Sequence, residues 1–383
     1  MSKHPVVIVG SGLAGFTVAR EFRKLDAESP VVIVTRDHGG FYSKPMLSNA
    51  FAQKKNAESL LMKDAARMAD DTNVQVMANA TVVAINPQLK QISLSDNQVL
   101  KYDQLVLALG ADPIQLPLQG DGAAEVLSVN DLDDYRRFRE AVEGKKEVAI
   151  LGGGLIGCEF ANDLAIAGFI VNVIDLAPQL LGRLLPPESA IFIQRKLEDE
   201  GIAFHLGTTT QKIERSGGKL RLTLANGNII QADVVLSAVG LRPRTALAAA
   251  AGIKINRGIV VNGLLQTNVE DIYALGDCAE VEGRVLPFVM PIMQAARALA
   301  PTLTGKSTPV HYPAMPVAVK TPCCPTVVSP PEPNAQGEWK VEGGTEGIKA
   351  IFSHQNGQLL GFALMGSAVQ EKAALTQQLP TLS

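Results

Sequence analysis

Apolar positions along this chain gather in short, β-branched runs that end at glycine. Residues 5–9 (Pro-Val-Val-Ile-Val) and 147–151 (Glu-Val-Ala-Ile-Leu) each lead into a glycine-rich turn and then a stretch of helical character. Runs of this length bounded by glycine predict buried strands. Two more form a matched pair. Asp103-Gln104-Leu105-Val106-Leu107-Ala108-Leu109-Gly110 opens on aspartate and reaches glycine seven positions on, and Asp233-Val234-Val235-Leu236-Ser237-Ala238-Val239-Gly240 does the same. The two halves therefore read as an internal duplication, too long in period for a solenoid. Within each half, helix, strand and turn signals follow one another in βαβ order, which predicts parallel sheets.

Shorter runs interrupt each half. Those at 80–85, 91–94 and 99–102, and those at 204–212, 220–224 and 229–232 with Asn226-Gly227 between the last two, predict an antiparallel β-meander inserted in each half. Residues 113–117 read as a linker and 241–244 as a return. Beyond about residue 310 the texture changes: Pro313, Pro316, Pro322, Pro325, Pro330, Pro331 and Pro333 break the chain, 339–342, 349–353 and 359–365 read as strands, and a closing helix starts at Gln370. The expected division is 1–112 with 241–310, then 113–240, then 311–383.

Composition narrows the class. A chain of 383 residues, 46% hydrophobic and 19% charged, has room for two or three domains. A net charge of −3 and a pI near 6.0 argue against a dedicated nucleic-acid binder. No apolar stretch reaches the ~18–20 residues of a membrane span. Lys3 and the apolar run 6–9 imitate a signal peptide, but glycines and then Arg20-Glu21 interrupt it, so the expectation is a cytoplasmic protein. The four cysteines (Cys158, Cys278, Cys323, Cys324) have neither Cys-x-x-Cys nor metal-ligand spacing and are expected as reduced packing thiols. Five scattered histidines (His4, His38, His205, His311, His354) suggest no metal site.

The chemistry lies in the glycine turns. Gly10-Ser11-Gly12-Leu13-Ala14-Gly15 and Gly152-Gly153-Gly154-Leu155-Ile156-Gly157 stand 142 positions apart, each after a strand and before a helix. The first glycine makes the turn, the second lets backbone approach a pyrophosphate, and the third packs helix on strand, leaving helix N-terminal N–H groups to face phosphate. Two in context predict two dinucleotide sites in an α/β chain: two Rossmann-like doubly wound domains with meander insertions, plus a C-terminal α+β domain. An acidic residue ~20 positions past such a turn binds ribose hydroxyls. Asp175 stands there in the second half and favours NADH over NADPH. In the first half the strand ends at Thr35-Arg36-Asp37, with no acid in the first place.

Thr267-Asn268-Val269-Glu270-Asp271-Ile272-Tyr273-Ala274-Leu275-Gly276-Asp277 resembles the second flavin-binding motif of the two-dinucleotide-binding pyridine nucleotide oxidoreductases. With both glycine turns, the resemblance covers residues 5 to about 310. It implies FAD on the first half, held at Gly10, Gly12, Leu13, Ala14, Gly15, Thr35, Arg36, Lys44, Pro45, Val82, Gly110, Gly276 and Asp277. Asp277 would accept from the ribityl chain. NADH would lie on the second half at Gly152, Gly154, Gly157 and Asp175. Tyr42-Ser43-Lys44-Pro45-Met46-Leu47-Ser48 resembles the Lys-Pro…Leu-Ser motif of the ferredoxin- and rubredoxin-reductase branch, and Asn49 stands where thiol-dependent branches carry cysteine. That branch implies an ion pair between Lys44 and Glu159 beside flavin N5, with both as catalytic residues.

Val317-Ala318-Val319-Lys320-Thr321-Pro322, Pro325-Thr326-Val327-Val328-Ser329-Pro330-Pro331 and Pro287-Phe288-Val289-Met290-Pro291 resemble the reductases that serve rubredoxin in bacterial alkane oxidation. By that resemblance Val289 and Lys320 sit at the pyrimidine edge of the flavin, and electrons from NADH pass singly to rubredoxin, an acidic iron carrier. Lys54, Lys55 and Lys63 form a basic patch that reads as a solvated helix face or, alternatively, as a docking surface for an acidic redox partner. No metal site, nucleic-acid partner or membrane insertion is expected, and the chain is expected as a monomer or weak oligomer. The alternatives are a flavorubredoxin or ferredoxin reductase, an NADH oxidase using oxygen, and a flavin-holding protein for which NADH is a conformational ligand.

Overall fold

The structure, a computed structural model, describes residues 4–381. Five parallel strands form the first sheet, in the spatial order Ile272–Ala274, Gln104–Leu107, Val6–Val9, Val31–Val34, Gln75–Met77. Five more form the second, in the order Leu127–Ser128, Val234–Ser237, Glu147–Leu151, Ile170–Asp175, Ala203–Leu206. In both, the strand leading into the glycine turn is central. Val6–Val9 and Val31–Val34 are buried along their whole length. Burial on both faces is why these strands read as unbroken β-branched runs rather than alternating ones.

Helix α1 (Leu13–Arg23) follows the first glycine turn, α2 (Leu132–Ala141) precedes the second sheet's centre, α3 (Leu155–Ile166) follows the second turn, and α4 (Val289–Leu303) packs against α1. The meanders form as Val82–Asn86, Gln91–Leu94 and Val99–Lys101, and as Thr210–Ser216, Lys219–Leu224 and Ile229–Ala232. The run expected at 204–212 is two elements. Ala203–Leu206 closes the parallel sheet, and Gly207 (φ +67°) turns the chain before the meander begins at Thr210. The expected linker and return overlap an antiparallel pair, Ala111–Pro113 against Leu241–Pro243, so the chain leaves and re-enters the first half along adjacent strands.

The last unit is a five-stranded antiparallel sheet, in the order Val317–Val319, Thr326–Ser329, Leu359–Gly366, Gly347–Ser353, Glu338–Gly344. Pro316, Pro325 and Pro330 flank its first two strands, where a missing N–H interrupts no ladder. A 3₁₀ turn over Ser367–Glu371 delays the closing helix to Lys372–Thr376. One hydrophobic core joins all three units, containing Leu47 and Phe51 from the first, Phe138 and Phe160 from the second, and Val319 and Met365 from the last. Phe51 and Phe160 meet the Phe138 ring edge to face at 5.7 and 5.9 Å. That apolar contact locks the segment after Lys44 onto the second unit.

Candidate functional site

Both glycine turns fit a dinucleotide for steric reasons. Gly10 (φ +114°) and Gly152 (φ +111°) lie in backbone regions that L side chains rarely adopt. A Cβ there would also stand 2.2 Å from the Ala108 carbonyl oxygen and 2.6 Å from that of Ala238. Ala108 and Ala238 occupy equivalent places in the two aspartate-to-glycine strands, so the duplication extends to the contact that closes each turn. A Cβ on Gly15 or Gly157 would meet the carbonyl oxygen of Gly10 or Gly152 at 1.9 or 1.8 Å. The middle glycines differ: nothing lies within 4 Å of a Cβ on Gly12 or Gly154. Both cap their helix without a side-chain hydrogen bond, leaving the first-turn N–H groups of α1 (including those of Leu13 and Ala14) and of α3 free for an anion.

The acids at the positions expected to serve a ribose differ between the halves. Asp175 ends its strand beside the second turn, where its Oδ2 accepts from the Gly153 N–H and its Oδ1 from the Ala177 N–H at 2.7 Å. In the first half Thr35 is buried, and the Arg36 guanidinium lies 3.5 Å from Asp112. Asp37 reaches back to the glycine turn. Gly276 (φ +78°) approaches α1 so closely that a Cβ would lie 3.0 Å from that of Ala14, bringing Asp277 to the start of α1. Gly110 (φ +73°) precedes the paired strand Ala111–Pro113, Val82 opens the first meander, and exposed Val289 starts α4.

The turn Lys44–Asn49, with Pro45 at its start, connects the units. Lys44 Nζ donates to Asn130 Oδ1 at 2.8 Å and lies 3.9 Å from Asp277 Oδ2. Desolvation pushes the Lys44 ammonium below its usual pKa, against the pull of Asp277. Glu159, fully buried on α3, accepts from Ser48 Oγ at 2.5 Å and from the Lys320 N–H at 2.9 Å, and it forms an ion pair with the Lys320 ammonium. The expected pair between Lys44 and Glu159 is therefore replaced. Asn130 and Asp277 hold Lys44, while the segment after Val317–Val319 delivers Lys320 to Glu159.

Residue-by-residue reading missed the rest of this junction. Asp163, one turn beyond Glu159, accepts from the Phe51 and Ala52 N–H groups at 2.7 and 3.0 Å, and burial pushes its carboxyl above the usual range. Asn162 Oδ1 accepts from the Cys323 N–H at 3.4 Å. Asn130 also donates to the Ala111 carbonyl at 3.0 Å. The available signal was the spacing i, i+3, i+4 of Glu159, Asn162 and Asp163 on an otherwise apolar helix, which puts three polar groups on one buried face. In the expected basic patch, Lys63 is paired with Asp71.

All four cysteines are free. Burial pushes the Cys158 thiol up, and holds Cys323, the one that is half-exposed, at about 12. Native protein treated with a thiol-disulfide reagent at pH 8 is therefore expected to react slowly, and to release four thiols promptly once denatured. A fast-reacting thiol in native protein would contradict this assignment. Among the described residues there is no cluster of metal-ligating side chains, and no helix long and apolar enough to cross a membrane.

Residues 4–300 match the sequence profile described as pyridine nucleotide-disulphide oxidoreductase. The chain belongs to that family. It is thus an oxidoreductase, of a family that uses FAD and NAD(H). Residues 309–379 match a profile described as the rubredoxin binding C-terminal domain. The chain is 50% identical over 380 residues to a rubredoxin-NAD(+) reductase of Alcanivorax borkumensis, covering 99% of each. It is 36% identical over 375 residues to a nitric oxide reductase FlRd-NAD(+) reductase of Vibrio vulnificus, covering 98% of each. The ferredoxin reductase for the CYP199A2 system of Rhodopseudomonas palustris superposes with a TM-score of 0.89 at 26% identity, covering 99% of this chain and 96% of that one.

Proposed function

We propose that this protein is an FAD-dependent reductase that takes a hydride from NADH and passes electrons one at a time to rubredoxin. The observation that carries the reading is the turn Lys44–Asn49. It approaches the Gly276–Asp277 corner of the first dinucleotide cradle through Lys44 and bonds α3, which opens from the second cradle, through Ser48. Two such cradles bridged by one turn suit direct transfer between two dinucleotides. The 50% relative over the whole chain and the C-terminal match at 309–379 support rubredoxin over the acceptor of the 36% relative.

Bound FAD would supply the conversion between a two-electron donor and a one-iron, one-electron acceptor. The protein's own work is to bind and orient. Residues 1–112 with 241–310 would hold FAD, the Gly10–Gly15 turn its pyrophosphate and Asp277 its ribityl chain. Residues 113–240 hold NADH, with Asp175 on its adenosine ribose. The protein contributes mainly by fixing the two rings relative to one another. Pairing with Glu159 fixes the Lys320 charge in one place, and residues 311–383 dock the carrier. A cytoplasmic monomer or weak oligomer supporting alkane hydroxylation completes the reading.

The test is anaerobic. Protein carrying bound flavin is bleached with NADH, then offered rubredoxin, ferredoxin and air in turn. The fastest return of colour is expected with rubredoxin. Fastest recovery in air would make the chain an oxidase, and no recovery with any acceptor would leave a binding protein. Asp277→Ala is expected to lower FAD affinity by about tenfold or more, the loss expected for hydrogen bonds to a charged group, and to purify poorly flavinated. Absorbance at 450 nm per chain reads this directly. Asp175→Arg is expected to shift the coenzyme preference toward NADPH, read as the ratio of kcat/KM values.

A further inference from the structure

The first half has no acid at the end of its second strand, yet its glycine turn is served by a carboxylate. We propose that Asp37, two residues beyond Thr35, binds the adenosine ribose hydroxyls of FAD, and that Ser11 and Thr35 hold it in position. This rests on the reading that the first cradle takes FAD.

A hydrogen-bond cluster at the turn holds Asp37. Asp37 Oδ1 accepts from Ser11 Oγ at 3.0 Å, from Thr35 Oγ1 at 2.8 Å and from the Gly39 N–H at 2.9 Å. Ser11 Oγ also lies 3.0 Å from Thr35 Oγ1. Three donors saturate Oδ1 and fix the carboxylate's orientation. Oδ2 makes no hydrogen bond among the described residues, and the side chain remains partly exposed, so one ionised acceptor stays available beside the turn.

The second half gives the comparison. There the acid is Asp175, and it too contacts the second residue of its glycine turn, accepting from the Gly153 N–H. Ser11 is the second residue of the first turn. The two carboxylates thus reach the same turn position by different routes: Asp175 from the last residue of its strand to a backbone N–H, Asp37 from two residues past Thr35, the matching position, to a side-chain hydroxyl. The serine hydroxyl extends the turn outward to meet an acid displaced along the chain. A neutral Thr35 just past the strand is then no gap in the site, because the charge has moved to Asp37. Hydrogen bonds to an ionised acceptor are stronger than neutral ones, so a free Oδ2 suits a sugar diol that can donate twice.

Holoprotein stripped of flavin and titrated with FAD, and with an FAD analogue whose adenosine lacks both ribose hydroxyls, tests this. Wild-type apoprotein is expected to bind FAD about tenfold more tightly than the analogue. Asp37→Ala should weaken FAD by about tenfold and bring the two ligands within about twofold of each other. Asp37→Asn keeps Oδ1 for Ser11, Thr35 and Gly39 but replaces the free acceptor by a donor. It should fold normally, with unchanged NADH affinity, and still lose most of the discrimination. If either folded variant keeps wild-type discrimination, Asp37 does not bind the ribose. If wild-type apoprotein takes up neither ligand, the FAD reading itself fails.

Discussion

Replacing Gly157 by alanine is expected to slow NADH-driven bleaching of the bound flavin by about a hundredfold while leaving the flavin in place. The new Cβ would stand 1.8 Å from the Gly152 carbonyl oxygen and 2.9 Å from its carbon. Both contacts are backbone, so no flexible side chain can give way. Helix α3 must back away from its turn by roughly 1 Å, a displacement that costs on the order of 10²-fold in rate when it separates reacting groups. The same shift moves α3's free N–H groups away from where a pyrophosphate sits, so NADH affinity should fall too.

The flavin's pyrophosphate cradle should be spared, because the first turn is built by Gly10, Gly15 and Ala108 and shares no residue with the second. Gly15→Ala reverses the pattern. Its Cβ would meet the Gly10 carbonyl at 1.9 Å, so the variant should purify with little flavin. The measurement is stopped-flow bleaching at saturating NADH, with dithionite reduction as a control that bypasses the second cradle. Gly157→Ala protein that bleaches at the wild-type rate would remove the second glycine turn from the NADH site.

The cradles were readable because their causes are local. A buried strand, a turn that only glycine can make and a helix opening behind it lie within about a dozen residues, and the duplication states them twice. What lay hidden depends on distant partners. Nothing near Ala111–Pro113 announces its pairing with Leu241–Pro243, because the hydrogen bonds that define the pair come from the other end of the second unit. The division of 204–212 turned on Gly207, where one positive φ in a β-branched stretch ends a parallel strand and starts a meander. The bond of Ser48 to Glu159 and the parts played by Asn130 and Asp163 escaped notice because each depends on a group far away in sequence. Asp163 looks like an ordinary helix acid until the Phe51 and Ala52 N–H groups arrive from the first unit. The Lys44 expectation failed for the same reason. The resemblance gave Glu159 to Lys44 and set Lys320 apart, and only folding brings Lys320 to Glu159.

That pairing has a measurable consequence at Glu159. Its carboxylate has no contact with solvent, while the Lys320 side chain is 28% exposed. Glu159→Ala removes the acceptor for Ser48 and Lys320 together and leaves the lysine's charge beside the core. Breaking a buried pair by deleting one partner costs about 3–5 kcal/mol, so the unfolding midpoint should drop sharply. Lys320→Met leaves a buried carboxylate that still has the Ser48 hydroxyl and the residue-320 N–H, so its loss should be smaller. The double variant should be much less damaging than the sum, with a coupling of more than about 1 kcal/mol between 159 and 320. Lys44→Met combined with Glu159→Ala should add within about 0.5 kcal/mol, because Lys44 is held by Asn130 and Asp277. Finding the strong coupling between 44 and 159, and additivity between 320 and 159, would return the ion pair to Lys44. It would also make Lys320 the free charge of the junction.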